Sequence, residues 1–192
     1  MSSFRESRVF YFAKKGALNT DKALDIAVAC CKERGIEKIV IASSTGKTAL
    51  KLRAKAKPSI EIIAVTYGAG SKYKDEVEEF SRNSSLLEEK GVRIVKGIHA
   101  LSATERTFSN KYNGGLLPLS IVADTLRMFS SGMKVCVEIA VMAAERGFIT
   151  PEEDVVAVAG SGHGADTAVV VKSGYAASMF DTKLRAILCM PE

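Results

Sequence analysis

Apolar positions along the chain follow two rhythms. Short, β-branched runs bounded by turn residues recur at Lys38–Ala42 (KIVIA), 61–66 (EIIAVT), 92–95, 155–159 (VVAVA) and 167–171 (TAVVV). Runs of this length and composition read as strands buried on both faces. Segments 8–13 (RVFYFA) and 184–189 add one candidate strand near each end. Between them the period changes to that of a helix. Leu24, Ala27, Val28 and Cys31 recur at i, i+3, i+4 and i+7. Thr20 suits the N-cap of that helix, Asp21 its first turn and Gly35 its end. Ala49, Leu52 and Ala56 mark a second helix, stopped by Pro58. Segment 75–91 is acidic and reads as helix interrupted at Asn83, Ser84 and Ser85. Pro118 suits the first position of a helix whose face holds Leu119, Val122, Leu126 and Phe129. Gly132 separates it from a helix over 133–146, striped by Val135, Ile139, Met142 and Ala143. Segment 99–117 has no period and reads as a long loop or an unrecognised element.

This alternation predicts an α/β fold, a three-layer α/β/α arrangement with helices on both faces of one sheet. The turn over 160–166 is too short for a crossover, so the strands it joins are antiparallel and the sheet is mixed. No repeat or linker divides the chain, and residues 1–192 read as a single domain.

Composition narrows the class. A hydrophobic share of 47% argues against disorder. No apolar run reaches the ~18 residues of a membrane span, and the N-terminal apolar stretch is too short for a signal peptide. A cytoplasmic protein without membrane contact is expected. Cys30, Cys31, Cys136 and Cys189 form no C-x-x-C pair, and His99 and His163 have no zinc spacing. Reduced, mostly buried thiols and no structural metal are expected. The net charge of +5 suits nucleic acid or phosphorylated metabolites. Its Lys and Arg residues are scattered without interleaved aromatics, the pattern of a solvated surface. Oligomeric state stays open, a homo-oligomer included.

The chemistry concentrates in KIVIASSTGKT, where a strand, a small-residue turn and a helix start follow one another. The first N–H groups of a helix lack partners and its dipole favours an anion there. Lys47, in that first turn, is unfavourable for the dipole unless an anion is present. A Walker A loop needs a glycine where Ile41 stands, and no apolar strand ends in an Asp placed for magnesium. The turn is also too short for G-x-G-x-x-G.

Two segments carry a family resemblance. IVIASSTGKTALKLRAKAKPSIEIIAVT resembles the start of the C-terminal domain of pyruvate kinase, where a Thr-x-Ser-Gly-basic-Ser turn lies between strand and helix. Ser43, Thr45, Gly46, Lys47 and Thr48 take those places, and Ala64, Val65 and Thr66 end the second strand. ERGFITPEEDVVAVAGSGHGADTAVVV resembles that domain's glycine-rich hairpin, with Gly147, Asp154, Gly160, Gly164 and Thr167 on its pattern.

The resemblance implies sheet order 3-2-1-4-5, the last core strand antiparallel, with extra terminal strands here. It places the turns 43–48 and 160–166 across one crevice, which in pyruvate kinase holds an allosteric sugar bisphosphate. The barrel that carries pyruvate kinase chemistry has no counterpart in these residues, so that activity is not expected. The tryptophan and arginine used for a second phosphate are replaced by Gly162, His163 and Gly164. Segment 67–117 is longer and brings its own His99, Ser102 and Arg106. The chain is more similar to the stand-alone, mainly archaeal proteins of this fold, which are associated with flavin mononucleotide (FMN). The resemblance therefore implies a phosphorylated small ligand, FMN, on Ser43, Ser44, Thr45, Gly46, Lys47 and Thr48. Thr66, Tyr67, Gly68, His99, Gly160, Ser161, Gly162, His163, Gly164, Asp166 and Thr167 would complete the site.

Two other functions stand beside this one. An enzyme, flavin-dependent or not, could use His99, Arg106, His163 and Asp166 in the same crevice. A nucleic-acid binder rests on the positive charge alone. Residue by residue, His163 reads as exposed on a loop, His99 as a loop-start hydrogen-bonder, and Tyr67 as either a stacking ring or a core aromatic. Glu138 reads as a surface partner of Lys134 rather than a buried carboxylate.

Overall fold

A computed structural model of the chain describes residues 6–115 and 117–192. The strands are β1 (Phe10–Phe12), β2 (Lys38–Ala42), β3 (Glu61–Tyr67), β4 (Val92–Gly97), β5 (Asp154–Ala159), β6 (Thr167–Lys172) and β7 (Lys183–Pro191). The helices are α1 (Thr20–Arg34), α2 (Lys47–Lys55), α3 (Lys74–Glu89), α4 (Ala103–Tyr112), α5 (Pro118–Arg127) and α6 (Ser131–Glu145). The strands form one sheet in the order β1-β7-β6-β5-β2-β3-β4. β2 pairs in parallel with β3 and β5, and β3 with β4. β6 is antiparallel to both β5 and β7, while β1 joins β7 in parallel. The core order β4-β3-β2-β5-β6 is the expected 3-2-1-4-5 with its antiparallel last strand, and β7 and β1 extend it.

Alternation along the strands divides the core between two faces. Ile39, Ile41, Ile62, Val156 and Val158 face α1, α2 and α3, packing with Leu24, Leu52, Phe80 and Leu87. Val40, Ile63, Val65, Val155 and Ala157 face α6, packing with Met133, Ile139 and Ala143. α5 lies outside α6, where Leu119, Val122 and Leu126 gather around buried Leu101, Ala123 and Val137. No helix among the described residues is long and apolar enough to cross a membrane.

Several local expectations are corrected. Asn19, not Thr20, is the N-cap of α1. The Thr20 hydroxyl instead donates to the Ala17 carbonyl at 2.7 Å and accepts from the Ala165 N–H at 3.0 Å, bracing the turn before β6. α3 runs unbroken through Asn83–Ser85 because side chains that compete with the helix have found partners. Ser84 donates to Ser81 O, and Asn83 reaches across to Thr45 O at 2.8 Å. The periodless segment 99–117 contains α4, none of whose described side chains is buried. Periodicity reports a buried face, so a helix without one is silent. Phe129 is 53% exposed and leaves the stripe assigned to it. Gly132 lies inside α6, not between helices.

Candidate functional site

At the carboxyl ends of β2 and β5 the two turns meet on one crevice of about 460 Å³. Adjacent parallel strands whose chains leave the sheet at this edge create such an opening. Ser43, Ser44 and Thr48 line it from one turn, and Gly160, Gly162 and Gly164 from the other. A wider groove of about 710 Å³, between the far ends of α2 and α3, holds none of these groups. Its Arg53 is engaged with the carbonyls of Ala56, Lys57 and Ile60.

The cradle at α2 is partly open. Gly46, at φ +87°, turns the chain into the helix, and the Ser43 hydroxyl accepts from the Ala49 N–H at 3.4 Å. The Thr48 N–H and the Ser44 and Thr48 hydroxyls have no hydrogen bond among the described residues. Ser43→Ala is expected to lower stability by about 1 kcal/mol, as loss of a helix-start acceptor does. A urea-denaturation midpoint measures it.

The opposite wall comes from β3, from His99 just past β4, and from α6. Tyr67 and Tyr73 stack with centroids 5.2 Å apart, and His99 lies tilted 5.6 Å from Tyr67. Val65, Ile139 and Met142 make an apolar floor. Below His99 sits Glu138, 1% exposed. Its Oε2 is 3.0 Å from His99 Nδ1, and its Oε1 accepts from Lys134 Nζ at 2.6 Å and from the Leu101 N–H at 3.1 Å. Burial alone would raise this carboxyl, but the His99 hydrogen bond and the Lys134 charge outweigh it and bring it down to about 2. Lys134 is shifted down, by burial first, with Arg127 and Arg106 adding to the shift and Glu138 opposing it. Burial, assisted by Glu76, Tyr73 and Glu138, pushes the Tyr67 hydroxyl up to about 12, so it remains a donor at neutral pH.

Residues 21–171 match the profile of the family described as "Pyruvate kinase, alpha/beta domain". The chain belongs to that family. Among solved structures it is similar to a pyruvate kinase from Cryptosporidium parvum, with 20% identity over 82% of this chain and 24% of that one, at a TM-score of 0.40. The same organism's pyruvate kinase in complex with ADP matches at 17% identity, 90% and 24% coverage, and a TM-score of 0.38. An NH3-dependent NAD synthetase from Campylobacter jejuni matches at 17% identity, 71% and 53% coverage, and a TM-score of 0.40. The chain thus spans about a quarter of the length of the pyruvate kinases it matches.

Within this pyruvate kinase α/β domain, the crevice gathers Ser43, Ser44, Thr48, Thr66, Tyr67, His99, Gly160, Gly162 and Gly164 from the expected set. The other expected residues lie outside its lining. Thr45, Gly46 and Lys47 turn toward α3: Thr45 O accepts from Asn83, Gly46 packs on Asn83 and Leu87, and Lys47 pairs with Glu79. The lysine of the turn therefore has a carboxylate partner and needs no anion. Lys51 and Lys55, on the same row, pair with Asp21 and Asp25 of α1.

Gly68 packs at the end of β4, where a Cβ would stand 2.9 Å from the Gly97 carbonyl oxygen. Ser161 and His163 sit on the rim, His163 exposed. Asp166 is fully buried and braces the second turn. It accepts from the Gly16 and Ser161 N–H groups at 2.8 and 3.1 Å and from Thr167 Oγ1 at 2.8 Å. Thr167 is also buried, 3.1 Å from Ser130 Oγ. These two hold the corner together and are not among the residues that line the crevice.

Sequence reasoning missed Tyr73, Arg127, Ser131, Lys134 and Glu138, all of which line the crevice. It placed Glu138 on the surface, and the structure buries it. A signal existed: Lys134 and Glu138 are the charged positions inside the otherwise apolar stretch 133–144. A charge pair in a helix that is apolar on every side has to be satisfied internally.

Proposed function

We propose that the crevice binds a phosphorylated small molecule carrying a flat ring, and that FMN is this ligand. The observation that carries the reading is the crevice's two unlike ends. At one end the first turn of α2 offers an N–H at Thr48 with no partner among the described residues, beside the Ser44 and Thr48 hydroxyls, donors suited to a phosphate. At the other end the stacked Tyr67 and Tyr73 offer an aromatic face. Tyr67 ends β3, the strand beside β2, and His99 follows β4, two strands and ~10 Å from the end of β2 at the usual strand spacing. A volume of about 460 Å³ falls in the range of ordinary small-molecule sites. The residues present thus fit the group: Ser44 and Thr48 would hold the phosphate, and the tyrosines and the Val65–Ile139–Met142 floor would take the ring. FMN supplies redox chemistry when bound. We ascribe no phosphoenolpyruvate chemistry to the chain, whose family match is to the α/β domain.

Titration of FMN and of riboflavin, followed by flavin fluorescence, tests the reading. FMN is expected to bind at least about tenfold more tightly, a difference of ~1.4 kcal/mol. The double variant Ser44→Ala, Thr48→Val should remove that preference and leave riboflavin affinity unchanged. Equal affinity for the two flavins, or no binding of either, would sink the proposal.

A further inference from the structure

The binding reading uses the phosphate cradle and the tyrosines and leaves the group beside them without a task. His99 stands just past the end of β4, at the crevice wall, with its side chain 39% exposed. Its Nδ1 faces a carboxylate that is itself 2% exposed and that is held from two further directions, by Lys134 and by the Leu101 N–H. An ionised carboxylate only accepts hydrogen bonds. Nδ1 therefore carries the proton in the neutral ring, and the lone pair sits on Nε2, across the imidazole from Glu138. A base whose tautomer and orientation are set by a buried acid is the arrangement that proton transfer requires.

We propose that the crevice is a proton-transfer site in which His99 Nε2 is the general base and Glu138 its positioning residue. The inference rests on the crevice being a ligand site, as proposed above, and adds an activity to it. Its place in the crevice selects the substrate class. With a phosphate on α2, His99 meets the part of the ligand ~10 Å from the phosphorus. It acts on an acidic C–H, O–H or N–H of the ring end and not on the phosphate ester. Nε2 accepts the proton, and the imidazolium so formed is stabilised by Glu138. Lys134, which also lines the crevice, is held on Glu138, and Arg127 on Asp124, so both add positive charge to this wall without leaving their carboxylates. The proton then returns to the product or to water. A carboxylate this buried would be costly to keep for packing alone.

A flat carbon acid tests the idea without knowledge of the natural substrate. In 5-nitrobenzisoxazole a base removes the ring C–H proton. The C–H electron pair completes a nitrile, the N–O bond breaks, and its electrons leave on a coloured phenolate. The protein is expected to turn this probe over faster than free imidazole at equal concentration. The rate should rise with pH to a plateau as the base loses its proton. Among the described residues, His99 meets Glu138 of α6 and Tyr67 of β3 directly; Lys134 of α6, Arg127 of α5 and Tyr73 line the same crevice, Arg106 of α4 acts on Lys134, and Glu76 of α3 acts on Tyr67.

His99→Ala keeps His163 as an internal blank and should lower the rate about a hundredfold, the low end of general-base effects. Glu138→Gln should lower it less and move the midpoint of the pH profile to lower pH, because the imidazolium loses its carboxylate. Lys134→Met with Glu138→Gln gives the same readout without an orphaned lysine, should the single variant fail to fold. Wild-type and His99→Ala rates that coincide would overturn the proposal, as would an unmoved pH profile in the folded Glu138 variants. Turnover that depends on His99 but is not inhibited by FMN would overturn the flavin reading and support this one.

Discussion

Glu138→Ala is expected to lower the unfolding free energy by about 3–5 kcal/mol at neutral pH. Three groups lose their acceptor together: the buried Lys134 ammonium, the Leu101 N–H and His99 Nδ1. The largest share comes from Lys134, left charged with only 5% of its surface exposed. Urea denaturation at pH 7 measures the loss. The pH dependence has a defined sign. The carboxyl stands at about 2 in the folded protein against its ordinary 4.5, so folding favours the ionised form. The stability it contributes is fully present above 4.5 and is lost as pH falls toward 2. The alanine variant should lack this acid-labile component. Replacing both partners, Lys134→Met with Glu138→Leu, should cost far less than either single removal, because no buried charge is left alone. A double replacement as costly as Glu138→Ala would show that the pair is not the source of the effect.

Gly132→Ala is expected to cost about 3 kcal/mol or more, although it lies within a helix. By helix propensity alone the change would stabilise α6 by ~1 kcal/mol. The neighbouring strand reverses the sign. A Cβ at residue 132 would stand 2.2 Å from Thr167 Oγ1, 2.5 Å from Thr167 Cβ and 3.0 Å from Asp166 Oδ1. None of these atoms is the end of a flexible chain, and Thr167 and Asp166 are both fully buried. α6 would have to lift from β6, carrying Ser131, Lys134 and Glu138 out of the crevice wall. Thermal or urea denaturation measures the loss. Thr167→Gly in the same chain should recover part of it by vacating the contact. A Gly132→Ala protein as stable as the parent would mean that α6 does not rest on β6 at this point.

The two residues illustrate what a linear pattern carries. Gly132 reads as punctuation between helices, because glycine disfavours helix interiors and no local signal reveals the strand atoms pressed against it. Asp166 and Thr167 read as ligand groups, because the resemblance sets the end of their hairpin turn on the crevice. Their partners, Gly16 and Ser130, lie 150 and 37 residues away, beyond any local pattern. Lys47 reads as an anion contact until Glu79 of α3 is brought beside it. α4 is invisible because it buries none of its described side chains.

The sequence by itself determined the β-branched strands, most of the helices and the antiparallel hairpin at 160–166, because periods of two and 3.6 and the length of a turn are local properties. The strand order and the setting of the two turns across one crevice came from the resemblance to the pyruvate kinase C-terminal domain, not from local pattern. Only the tertiary structure decided which side chains enter that crevice. It turned Lys47 and Thr45 away, sealed Asp166 and Thr167 beneath the corner, and joined His99 to a buried Glu138–Lys134 pair. The direction of a side chain and the dielectric around a charge depend on neighbours distant in the chain, and those neighbours are known only once the helices are laid on the sheet.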